Sequence, residues 1–108
     1  MTDIWRSLVA QRCLWAWGRK LVFHSAEVVQ ARNQHDLMRD FEDEIPGYLS
    51  NDKIRRTLEA LQLNSGPSRV GDNLLYCYKA LVREGIFPKE ELVLLSAWIE
   101  DTANILSL

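Results

Sequence analysis

Apolar residues recur at spacings of three and four along most of this chain, and few breakers interrupt them: Gly18, Pro46-Gly47, Ser65-Gly66-Pro67, Gly71, Gly85 and Pro88. That spacing puts side chains on one face of a helix, whereas a half-buried strand would alternate. No run of alternating β-branched residues is long enough to argue for a sheet. The pattern predicts an all-α fold, a compact bundle of four to six helices ending in an antiparallel helical hairpin. Residues 1–108 form a single helical domain on this reading.

The individual elements follow from the same pattern. Residues 3–17 predict a first helix, with Ile4, Leu8 and Trp15 on one line and Trp5, Val9 and Ala16 beside it. Gly18 ends that helix or bends it. Residues 21–31, LVFHSAEVVQA, predict a second helix between helical neighbours, although Leu21-Val22-Phe23 also suits an extended strand. Asp36 is a natural N-cap for a short helix LMRDFEDEI, in which Leu37, Met38, Phe41 and Ile45 face inward. Pro46-Gly47 is expected to turn the chain, and Ser50, Asn51 or Asp52 to cap a helix whose stripe is Ile54, Leu58 and Leu61. After the loop NSGPSR, Val70, Leu74, Cys77, Tyr78 and Leu81 share one face. Gly85 suits the left-handed position after a helix, and Pro88 suits a helix start. The final helix carries Leu92, Leu95, Ile99 and Leu106 on one stripe, with Trp98 alongside.

Composition narrows the class. The chain is 47% hydrophobic and 26% charged, an ordinary globular balance that argues against disorder. No apolar run approaches the roughly 18 residues of a membrane span. Asp3, Arg6, Gln11 and Arg12 interrupt any signal-peptide core, so the expected location is the cytoplasm. Cys13 and Cys77 belong to no CxxC or Cys/His cluster and read as reduced packing residues. No metal site and no cofactor is expected.

Charge is distributed unevenly behind the net value of −2. Residues 1–39 carry Arg6, Arg12, Arg19, Lys20, Arg32 and Arg39 against Asp3, Glu27 and Asp36, whereas residues 40–52 carry Asp40, Glu42, Asp43, Glu44 and Asp52 and no base. The basic stripe of a nucleic-acid binder is absent. The first helix is rich in Trp and Arg, but Arg12 and Arg19 fall within its apolar arc, which argues against a lipid-surface helix. If buried there, these arginines need carboxylate partners, and residues 40–44 are the expected supplier.

His24 and His35 are the two histidines. Their neighbours Ser25 and Asp36 lie about 100° away on a helix, so neither dipeptide forms a catalytic array. With no nucleophile elbow, P-loop or HExxH motif, the expectation is a protein without enzymatic activity. The acidic run DFEDE is the most unusual local feature. It reads either as a solvated helix face or as a surface for a basic partner, with Tyr48 as an aromatic anchor.

Three stretches resemble one family: the acidic helix running into Pro46-Gly47-Tyr48-Leu49, the helix containing Asn73-Leu74-Leu75-Tyr76-Cys77, and the Pro88-Lys89-Glu90-Glu91 entry to the last helix. Over about residues 37–95 the order of features is similar to the MafI-type small helical immunity proteins, which protect bacteria from polymorphic toxins. The resemblance implies binding without catalysis, with a cognate toxin, often a nuclease, as partner. Asp40, Glu42, Asp43 and Glu44 would then form the toxin-facing surface, with Tyr48, Asp72 and Glu84 beside them. The alternative is a helical adaptor or oligomerisation module of the death-fold type. In either case the partner is a protein rather than a nucleic acid or membrane.

Overall fold

The computed structural model describes residues 2–106 of the chain. Four α-helices follow in order: α1 (Thr2–Ala16), α2 (Leu37–Glu59), α3 (Val70–Arg83) and α4 (Glu90–Leu106), with a 3-10 turn at Pro67–Arg69 leading into α3. The fold is an all-helical bundle, and α3 and α4 form the antiparallel hairpin at its end.

In α1 the buried face is Trp5, Val9 and Cys13, one residue per turn. The other expected line lies at the edge of this face, with Ile4 and Trp15 half exposed. Past Ala16 the chain turns out of the helix at Gly18, whose φ of 77° is a conformation that side chains with a Cβ resist. The helix expected over 21–31 does not form, and residues 19–36 carry no regular secondary structure. Val22, Phe23, Val28 and Val29 all stay exposed, so no burial offsets the cost of nucleating a short helix.

The turn expected at Pro46-Gly47 is absent, because α2 runs through both residues as one helix of 23 residues. Asp36 caps it as expected, its carboxylate accepting from the backbone N–H groups of Met38 and Arg39 at 3.1 and 3.3 Å. Two contacts bridge the proline: Tyr48 donates to Glu44 at 3.4 Å, and its ring lies 6.2 Å from that of Phe41. Ser50, Asn51 and Asp52 are therefore helix interior rather than caps. The inward orientation expected for Leu37, Met38, Phe41 and Ile45 is also overturned, since all four are exposed. Only the later turns of α2 reach the core, through Ile54 and Leu58.

The hairpin forms as expected. Cys77, Tyr78 and Leu81 are buried on one face of α3, and Gly85 has a φ of 75°. Pro88 stands at the entry to α4, its carbonyl accepting from Glu91 N at 3.1 Å. Leu95 is buried, whereas Leu106 is exposed, contrary to its expected place on the buried stripe. The loop residue Phe87 joins the core between Trp5 and Tyr78, at ring distances of 6.2 and 4.9 Å. Among the described residues Asn73 is the buried polar side chain, and it holds the loop before α3. Its amide donates to Asn64 O at 2.8 Å and accepts from Asn64 N at 3.0 Å.

Candidate functional site

One candidate site lies beside α3, where side chains of α1 and α4 reach each other. It is an open cleft of about 390 Å³. Arg6 enters it from α1, and Leu74 and Tyr78 enter from α3. The α4 wall supplies Glu91, Leu94, Leu95 and Trp98. On α4 the spacing of Glu91, Leu95 and Trp98 places all three on one face, so a carboxylate sits in line with an apolar stripe. On α1, Arg6 follows Trp5 of the core and projects beside the buried face.

Arg6 Nη2 donates to Glu91 Oε2 at 2.8 Å, joining residues 85 apart in sequence. The Glu91 side chain is only 16% exposed. By contrast, the Lys53–Glu84 pair leaves its carboxylate 39% exposed. The hydrogen bond from Arg6 to Glu91, reinforced by their opposite charge, holds the guanidinium above its usual pKa, so it remains a cation. Burial pushes the Tyr78 hydroxyl up from its ordinary value, and the nearby Arg6 moderates this. The phenol is therefore a neutral donor and acceptor at physiological pH. At the rim, Trp98 is 57% exposed. The cleft thus combines an aromatic face, a neutral hydroxyl and a charge-balanced ion pair on an apolar floor.

The residues singled out from sequence lie elsewhere. Asp40, Glu42, Asp43 and Glu44 occupy the exposed first turns of α2. Asp40 faces His35 at 3.4 Å, and Glu44 accepts from Tyr48. Asp72 pairs with Arg69 at 3.2 Å at the start of α3, and Glu84 pairs with Lys53 at 3.4 Å. These positions do not converge on one cleft. Arg12 does not meet the acidic run either. Its Nε donates to Leu58 O at 2.9 Å and its Nη2 to Leu61 O at 2.6 Å, closing the C-terminal end of α2. Arg19 lies over the Trp17 ring at 5.3 Å.

Cys13 and Cys77 are free thiols, buried with their sulfurs 4.0 Å apart. The bond to the neighbouring sulfur and burial together push the Cys77 thiol well up, so it is an inert packing group. Among the described residues, no group of His, Cys, Asp and Glu is arranged to hold a metal ion. Nor is any helix among them long and apolar enough to cross a membrane.

In the sequence, Glu91 reads as part of the Pro88-Lys89-Glu90-Glu91 entry to the last helix, Tyr78 as a packing residue and Arg6 as one base among those of residues 1–39. The legible signal was a charged residue in register with an apolar stripe, on α4 at Glu91.

The fold is therefore a helical bundle with a small amphipathic cleft between its first and last helices. The family model described as STELLO glycosyltransferases matches residues 1–106 of this chain, and the chain belongs to that family. No curated protein and no solved structure matches it.

This membership overturns the immunity-protein resemblance, the toxin-neutralising function read from it and the expectation of a protein without enzymatic activity. The death-fold adaptor gains no better support. The structure gives one physical reason for the error. Pro46-Gly47-Tyr48-Leu49, read as a diagnostic turn, is helix interior, and the Pro88-Lys89-Glu90-Glu91 entry is punctuation that many helical hairpins use.

Proposed function

We propose that this chain serves glycosyl transfer, the movement of a sugar from an activated donor to an acceptor hydroxyl. The observation that carries this reading is the family match across residues 1–106. In such a transfer the bond from the anomeric carbon to the leaving group breaks, and a bond to the acceptor oxygen forms. The leaving group departs with the electron pair of the broken bond, and the proton of the acceptor hydroxyl passes to solvent. The helical bundle contributes a stable platform on which sugar-contacting side chains are held by packing rather than by loops.

The test is a transfer assay. The purified protein is incubated with radiolabelled nucleotide sugars and a panel of saccharide acceptors, and incorporation into product is counted. Protein-dependent incorporation from at least one donor is expected. No incorporation across all donors and acceptors would remove the reading.

A further inference from the structure

We propose that the cleft between α1, α3 and α4 binds one uncharged sugar unit, with Trp98 as its stacking face and the Arg6–Glu91 pair and Tyr78 as its hydroxyl contacts. The choice of substrate class rests on the glycosyl-transfer reading, whereas the location and the contacts rest on the geometry.

Sugar hydroxyls each donate and accept, so a site for them needs both capacities close together. The 2.8 Å bond between Arg6 and Glu91 uses one N–H of a guanidinium that has five, and one oxygen of a carboxylate that accepts several bonds. Tyr78 adds a neutral hydroxyl. Trp98 and Leu94 give the rim an apolar face suited to the C–H side of a pyranose ring. A volume of about 390 Å³ falls near the lower end of small-ligand sites, which start at roughly 300 Å³.

The charge balance selects the ligand. Arg6 is matched by Glu91, so the pair is neutral overall and the carboxylate would repel a phosphate approaching Arg6. An uncharged glycosyl unit, as in an acceptor, fits better than the diphosphate of a nucleotide donor. The cleft on the other side of α3 carries Tyr76, Asp72, Lys79 and Arg83 but no tryptophan, and its bases outnumber its acid. The α1–α2 groove has Trp15, but its Arg12 is committed to backbone carbonyls, and the acids there, Asp52 and Glu59, are exposed and paired within α2.

The experiment is a ¹H–¹⁵N NMR titration of the 108-residue chain with methyl glycosides of glucose, galactose, mannose and xylose, and separately with uridine diphosphate. At least one glycoside should shift the Trp98 indole and Arg6 side-chain signals, with a dissociation constant in the region of about 1 mM. Trp98→Ala should weaken that binding at least about tenfold, because it removes the stacking face from an exposed site without disturbing the core. Glu91→Gln keeps the shape and should weaken it less.

No shift with any glycoside overturns the site, as does binding that survives Trp98→Ala. Glycoside shifts confined to the α1–α2 groove overturn it too, as does uridine diphosphate shifting the cleft where no glycoside does. Transfer activity without glycoside binding in the cleft removes this inference and leaves the glycosyl-transfer reading. Binding without transfer leaves the site and removes the glycosyl-transfer reading.

Discussion

Arg12 shows how a single side chain can be assigned the right need and the wrong partner. An arginine on an apolar arc does require acceptors, and it finds them in the carbonyls of Leu58 and Leu61. Helix C-terminal carbonyls carry partial negative charge, so they serve in place of a carboxylate. Arg12→Met should therefore lower stability by about 1–3 kcal/mol in urea unfolding, whereas neutralising the acids of 40–44 should not reproduce that loss. Asn73→Ala should cost a similar amount, about 1–3 kcal/mol, since it strands both backbone groups of Asn64.

Tyr78 makes a prediction in pH. Its folded pKa lies above the ordinary value of 10.0 because burial disfavours the phenolate. The folded state therefore holds its proton where the unfolded state has lost it. Stability from this group is intact below the unfolded pKa and falls as pH rises from there through the folded pKa. Comparing alkaline unfolding of the protein with that of Tyr78→Phe isolates this contribution, and the variant should lose less stability over that window.

At the scale of elements, α2 departs most from local signals. Proline inside a helix removes a backbone hydrogen bond and costs about 3 kcal/mol, yet α2 continues through Pro46. The Asp36 cap and the side-chain contacts across Pro46 hold the helix on both sides. Pro46→Ala should raise the melting temperature and leave the far-ultraviolet circular dichroism helical, since the exposed position asks nothing of the ring.

Residues 21–31 fail in the opposite direction, with helical spacing but no helix. Periodicity reports which faces could be buried, and nothing in the pattern supplies the surface that would bury them. The hairpin was legible because Gly85 and Pro88 act within a turn of their own positions. Backbone amides of residues 20–36 should exchange hydrogen fast, at rates close to those of an unfolded peptide, while those of α3 exchange slowly.

At the scale of the molecule, α3 is the central element and packs against α1, α2 and α4. Its Leu81 is fully buried, with Cys77 and Tyr78 on the same face. Leu81→Ala should cost about 2–5 kcal/mol in chemical denaturation, because the three neighbouring helices prevent the site from collapsing around the cavity.

The sequence by itself determined the helical class, the Asp36 cap, the Gly85 stop and the buried stripe of α3. Each depends on side-chain size and backbone preference over a few residues. Only the tertiary structure decided that Pro46 would be carried through, that Arg12 would close the end of α2, and that Arg6 would meet Glu91 across 85 positions. Those outcomes depend on which helices dock and at what register. That is a property of the whole core, and no local spacing encodes it.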